Sequence, residues 1–279
     1  MQLPSNTLRR AVGIWLPVVV LMTFSLFPFF WMGLTSFKTN AEIYNFKNPF
    51  VVEKPTLEHY HKLLDETDFL MWMFNSALVG LGAMITSIIA GTAAGYALSK
   101  LRLPVASTVG RAILLSYLVP RSLLFIPLYT NLRNLGLMNS RWGLILTYSS
   151  FIAPFCTWLL SGYFDTIPNE IEECAFVDGA TRLRILFSID IPLVRNGMVT
   201  AVIFAFTLSW QEFIYALVFI QESTKKTIPV AMATFMKGDV FFWGEIMAAG
   251  LLASVPIAII YIFIHKRLVE GMTAGAVKG

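Results

Sequence analysis

Apolar residues fall in six long runs separated by polar stretches: about 11–34, 72–98, 112–130, 142–164, 197–221 and 246–264. The runs lack the period-two alternation and even ten-residue spacing of an outer-membrane barrel, which excludes strands for them. Crossing about 30 Å of hydrocarbon at about 1.5 Å per residue takes about 20 apolar helical residues. Each run meets that requirement, and a helix satisfies its own backbone groups inside lipid. The pattern therefore predicts an all-α fold, a polytopic membrane bundle of six transmembrane helices forming a single domain over residues 1–279. The first run is too long for a cleaved signal and has no small-residue cleavage site, so it reads as a retained helix.

Four of the six runs contain no Asp, Glu, Lys or Arg; the third holds Arg121 and the fifth Glu212. Over the whole chain 56% of residues are hydrophobic and 14% charged, too few charges to cover a soluble surface. The lipid bilayer is thus the expected solvent. Net charge is only +4 and no basic run exceeds two residues, which excludes nucleic acid as a partner. Cys156 lies in an apolar run and Cys174 in a polar, acidic loop, so both are expected as free thiols. The flanks 1–10, 99–111 and 265–279 hold eight basic residues against one acid, Glu270, whereas 35–71, 131–141 and 222–245 hold nine of each. The positive-inside rule then places both termini in the cytoplasm. The second run carries small residues at close-packing spacing, Gly80, Gly82, Gly91 and Gly95. They fit either packing within one bundle or a subunit interface. Pro17, Pro28, Pro120, Pro127, Pro154 and Pro256 should kink their helices.

Catalytic parts are missing. No G-x-x-x-x-G-K-[ST] phosphate loop and no H-E-x-x-H occurs, and His59, His61 and His265 all lie outside the runs. His59 and His61 read as solvated loop residues; no metal site is expected. A membrane-embedded enzyme would need an intramembrane nucleophile–base pair, which is not found. A gradient-driven secondary carrier, the main alternative reading, usually places several ionisable groups at mid-membrane depth. Arg121 and Glu212 are all this chain offers, so a partner is the better source of energy.

The loop 165–196, between the fourth and fifth runs, is polar yet patterned. Asn169 is placed to cap a helix, with Glu172 three residues on completing a capping box. Ile171, Cys174 and Ala175 share a weakly apolar face. Asp178-Gly179 ends that helix, and a second apolar turn, Leu183 to Ile189, stops before Pro192, which restricts Ile191 away from helix. This predicts a helix-turn-helix knob. By physics alone an amphipathic connector resting on lipid headgroups fits as well.

Glu173-Cys-Ala-Phe-Val-Asp178-Gly179-Ala180, then Ile189 and Pro192, resembles the E-A-A…D-G-A…I…P signature of ABC importer permeases, with matching spacing. Cys174 replaces the central Ala, Leu186 sits where Phe is usual with Phe187 beside it, and Asn196 replaces a second Pro. The Gly turn and both flanks survive. Three further stretches are similar to the sugar importers typified by maltose uptake: Pro120…Ile126-Pro127-Leu128…Leu135-Gly-Leu-Met-Asn139; Trp243-Gly244-Glu245 with Ala248-Ala249; and Gly271 to Gly279, close to the tail of that group's second permease subunit.

The resemblance implies a permease subunit in a bacterial inner membrane. It would pair with a homologous second permease subunit, two ABC ATPase subunits and an extracytoplasmic sugar-binding protein. No cofactor would be bound by this chain, ATP and magnesium being used by the partner ATPase. The 172–192 loop becomes the coupling element, with Glu172, Glu173, Ala175, Asp178, Gly179, Ala180, Leu186, Ile189 and Pro192 as ATPase-coupling residues. Gly179 would take positive φ, Asp178 cap the next turn, Glu173 meet basic side chains, Ala175 and Ala180 keep the knob slim, and Pro192 fix the exit into the fifth span.

Two other segments are candidates for contact. Glu212, with Trp210, Gln211 and Tyr215, faces either the translocation path or a neighbouring helix; a carboxylate at that depth needs water or a partner. The loop 228–245 is aromatic-rich, and Lys237, Phe241, Phe242 and Trp243 are its candidate contacts with the binding protein; an interfacial aromatic belt is the other reading. The substrate is expected to be a di- or oligosaccharide, a polyol or a sugar or glycerol phosphate.

Overall fold

The computed structural model describes residues 5–45, 47–101, 103–237 and 240–276. By internal contacts the chain divides into two units, residues 1–69 with 232–255, and residues 70–231 with 256–279. The sequence pattern gave no sign of this division.

The first unit holds α1 (Ser5–Ser36), α2 (Asn40–Asn45), α3 (Glu58–Asp65) and the first part of the last helix. The most apolar stretch of α1 has no buried residue, so its surface is left for lipid or another chain. Pro17 and Pro28 lie inside α1 without ending it. After α1 the chain wraps around Lys38, 4% exposed, whose Nζ donates to the carbonyls of Asn48 (2.9 Å) and Pro49 (2.7 Å). His59, expected to be solvated, has no exposed surface. Its Nε2 lies 2.9 Å from the Lys38 carbonyl and its Nδ1 3.4 Å from Glu245 Oε1. The ring fills the space where a side chain at Gly244 would go. A minimal hairpin, β1 (Met236–Lys237) with β2 (Val240–Phe241), interrupts the helices within the 228–245 loop.

The second unit is built on α4 (Phe69–Lys100) and α7 (Arg141–Phe164). Along α7, Leu144, Tyr148, Ile152, Cys156, Leu160 and Phe164 are fully buried. This core is covered by α5 (Ala106–Leu118), α6 (Arg121–Asn134), α11 (Arg195–Trp210) and α12 (Ile214–Phe219). The glycines of α4 let its backbone approach its neighbours: a Cβ at Gly91 would stand 2.6 Å from that of Cys156, and one at Gly95 3.0 Å from the Ser161 amide. Gly82 meets Ile145 and Gly80 meets Phe206. Of the two readings of these small residues, packing within the chain is the one observed. The α6–α7 connection turns at Gly136 (φ 67°) and Asn139 (φ 52°). Asn139 Oδ1 then accepts from the amides of Gln221 (3.2 Å) and Glu222 (3.1 Å).

The six apolar runs do not give six straight helices. Among the described residues four helices are long and apolar enough to cross a membrane: α1, α4, α7 and α13 (Trp243–Ala276). The third run is two helices bent by 97°. Val119 is extended (φ −64°, ψ 125°) because it precedes Pro120, whose ring crowds a helical neighbour and which has no N–H to donate. A full break thus replaces the expected kink. The fifth run divides into α11 and α12 around Gln211–Phe213. Pro127, Pro154 and Pro256 stay within their helices.

Replacing Gly91 by Leu should force α4 off α7, costing about 1–3 kcal/mol by overpacking. Gly162→Leu, on α7 where no atom lies within 4 Å, is the control. Thermal unfolding of the detergent-solubilised chain should show a lowered Tm for the first and little change for the second. Equal melting of the two would show that the helix contact is absent.

Candidate functional site

The 165–196 segment begins where α7 ends. Pro168 occupies the N-cap position of α8 (Asn169–Val177), so Asn169 is the first helical residue and caps nothing. Instead its Oδ1 lies 3.4 Å from Lys100 Nζ. The expected capping box is absent for the same reason: Glu172 turns inward, 5% exposed, with Oε1 3.7 Å from Lys100 Nζ. The buried face of α8 is Glu172 and Ala175, while Ile171 (39%) and Cys174 are exposed. Glu173 is exposed as well.

The turn after α8 is a Schellman-type close. Ala180 N donates to the Ala175 carbonyl (2.9 Å), Gly179 N to that of Phe176 (3.0 Å), and Gly179 takes φ 80°. Asp178 only closes α8; Thr181 caps the next turn, its Oγ1 accepting from Arg184 N at 3.3 Å. That next turn is α9 (Arg182–Ile185), a π-helical turn (Leu186–Asp190) and α10 (Ile191–Leu193). Leu186 is buried and Ile189 half-buried. Against expectation, Ile191 is helical (φ −57°, ψ −46°) although Pro192 follows. The wider π turn relieves the crowding of the proline ring, since Ile191 N reaches back five residues to the Leu186 carbonyl. Consequently Pro192 does not set the exit: the chain bends by 82° at Val194, which leads into α11.

The knob also presents a surface that the motif did not mark. Val177 (89%), Leu183 (69%) and Phe187 (65%) are exposed apolar side chains flanking the Gly179 turn. Arg182 lies over the Phe176 ring, 5.0 Å from its centroid. Apolar residues off the face buried against the chain were the available signal.

At the break of the fifth run, Glu212 is half-buried, and its two carboxylate oxygens accept from the amides of Tyr215 (3.1 Å) and Ala216 (3.2 Å). These are free N–H groups of the first turn of α12, so the acid caps a restarted helix. Tyr215 and Trp210 are buried, leaving Gln211 and Phe213 exposed at the break. Tyr215 Oη donates to the Arg121 carbonyl (2.6 Å) and the Arg121 guanidinium covers Phe151 (4.6 Å), so this break and the one at Pro120 meet. Of the four path candidates, Trp210 and Tyr215 thus serve packing, and Gln211 and Glu212 keep polar atoms near a surface.

In the 228–245 loop, Phe241 and Trp243 stack (5.2 Å) and Tyr44 Oη donates to the Phe241 carbonyl. Phe242 and Trp243 are each 37% exposed. The Lys237 side chain lies outside the described residues. The Glu245 carboxylate, 3.4 Å away, raises the pKa of His59 above its ordinary value, against the opposing effect of burial. Among the described residues no three His, Cys, Asp or Glu side chains converge as a metal would need.

Glu212→Ala, which frees both amides, should lower stability by about 0.5–2 kcal/mol. Glu212→Gln keeps one acceptor and should lose less. Thermal unfolding with parallel transport assays separates the roles: equal loss of transport in both variants at unchanged stability would make Glu212 a path residue instead.

The family described as "Binding-protein-dependent transport system inner membrane component" matches residues 83–274. The inner membrane ABC transporter permease protein YcjP of Escherichia coli (strain K12) is 32% identical over 98% of this chain and 98% of its own. The sulfoquinovosyl glycerol transport system permease protein SmoH of Agrobacterium fabrum is 35% identical over 93% of this chain and 91% of its own. Among solved structures, a bacterial ABC transporter involved in the import of the acidic polysaccharide alginate has a chain that superposes with TM-score 0.80. It covers 95% of this chain and 99% of that one, at 21% identity, a likeness of fold. With the family matched over most of its length, the chain belongs to the inner membrane components of binding-protein-dependent transport systems: it is a multi-pass permease subunit of an ABC importer, whose ATPase is a separate subunit.

Proposed function

We propose that this chain is one of two homologous permease subunits of an ATP-driven sugar importer, and that its 172–192 knob docks on the ATPase. The observation that carries the reading is the knob: a rigid, closed turn at Gly179, rimmed by exposed Val177, Leu183 and Phe187, and joined through Val194 to the fifth span. ATP-driven closure of two ATPase subunits pushes on this turn and tilts the spans to alternate access. The unburied surface of α1 suits a second permease or lipid. A sugar as solute is supported by the likeness to a sulfoquinovosyl glycerol permease and by the tail and third-span stretches; the class spans di- and oligosaccharides, polyols and sugar or glycerol phosphates. Both termini and the knob lie in the cytoplasm, and the 228–245 loop faces outward to the binding protein through Phe241, Phe242 and Trp243. No cofactor is held by this chain.

Gly179→Val tests the coupling. Space is open there, since no atom lies within 4 Å, so the effect comes from the positive φ. The complex should insert and pair with its second permease, yet lose ATPase association. A fully assembled Gly179→Val complex that transports at the normal rate would reduce the knob to a connector.

A photocrosslinker at position 241 tests the outer loop and the orientation together. Binding protein added from outside should be captured there. A transport-competent complex that yields no such product would overturn the contact.

A further inference from the structure

At the knob lies a cluster of ionisable groups of which the coupling residues include only Glu172. Lys100 is the last residue of α4 and is 8% exposed. Its Nζ donates to the Ile167 carbonyl (2.5 Å) and approaches Asn169 Oδ1 (3.4 Å) and Glu172 Oε1 (3.7 Å). Asp190, the last residue of the π turn, has no exposed surface, and neither of its carboxyl oxygens has a hydrogen-bond partner. Glu172 Oε1 likewise has none. From α4, Tyr96 also faces this cluster, and the exposed Arg182 of α9 lies near Tyr96.

A buried carboxylate without donors is costly, and one ammonium does not balance two such acids. The arrangement therefore favours a proton held on one carboxyl. Asp190 is the holder: burial first, then the nearby charge of Glu172, push its pKa up to about 6, with Lys100 opposing. Glu172 lies before the Gly179 turn and Asp190 after it, and both feel the charge of Lys100 or of each other.

We propose that Lys100, Glu172 and Asp190 form a buried latch that seats the knob on the end of the second span, closed when Asp190 is neutral and loosened when Asp190 ionises. The latch rests on the reading of the knob as the coupling element. Lys100 and Asp190 are then positioning residues, acting on the ATPase through α8 and the π turn. The sign follows from the raised carboxyl pKa. The neutral form favours the seated knob, so its stabilisation is complete at low pH and is lost as pH rises through about 6. For a group titrating there, the neutral fraction falls about tenfold between pH 5 and pH 7.

Cys174, exposed on α8, provides the readout, while Cys156 is buried. In the assembled transporter, N-ethylmaleimide labelling of Cys174 is followed from pH 5 to pH 8, with ATP hydrolysis measured on the same samples. The rise of thiol reactivity with pH is common to all samples, so rates are compared as the ratio of the parent to Asp190→Asn, whose side chain stays neutral. The ratio should climb several-fold from pH 5 to pH 7 and level off above that, as ATPase activity of the parent falls relative to the variant. A ratio that stays constant from pH 5 to pH 8 would overturn the latch. Lys100→Met should speed labelling at every pH and Lys100→Arg should restore protection; a Lys100→Met complex as protected as the parent would also overturn it. Failure of the coupling reading looks different: Cys174 would label at the same rate with and without the ATPase subunits.

Discussion

Inside a bilayer the backbone has no water to bond, so every amide and carbonyl must be satisfied within the protein. Unbroken helices meet most of this demand alone, as α4 and α7 do over 32 and 24 residues. The two broken runs meet it differently. At Pro120 and at Gln211–Phe213 the ladder stops, and the two interruptions lie against each other: Tyr215 donates to the Arg121 carbonyl, and Glu212 takes up the amides that open α12. The two charged residues within the six runs, Arg121 and Glu212, therefore sit at these two breaks. Non-helical backbone at membrane depth is tolerated only where protein or a cavity surrounds it. Gln211 and Phe213 are both exposed at this break.

The packing of α4 on α7 gives these breaks a fixed support. Glycines at 91 and 95 bring the two backbones close enough that the core behind them leaves no room for a side chain. The C-terminal end of the same α4 carries Lys100, which reaches under the start of the knob. One helix thus joins the core to the 165–196 segment. The π turn and the bend at Val194 are the points where that segment departs from regular helix, and departures of this kind tend to fall at functional hinges.

Much was legible in the residues alone. Six runs of apolar sequence predict an all-α membrane chain because hydropathy answers directly to the lipid environment. The turn at Gly179 was legible because positive φ is a local demand on one residue. The breaks were half-legible: Pro120 marks its own, but the fifth run shows only a Trp-Gln-Glu-Phe sequence that reads as helix until Glu212 is seen capping the next segment.

What the sequence by itself determined is therefore whatever depends on a residue and its near neighbours: span length, the glycine turn, the absence of a nucleotide loop, and membership signatures around residues 173–192. Only the tertiary structure decided the roles that depend on distant partners. Glu172, expected to cap α8 and face the ATPase, is drawn inward by Lys100, 72 positions earlier in the chain. His59, expected in solvent, is buried between Lys38 and Glu245. Thr181 took the capping role assigned to Asp178, and Val194 the bend assigned to Pro192. In each case a local preference was overridden because burying a polar group obliges it to find a partner, and which partner lies within reach is set by the packing of helices rather than by neighbours in sequence.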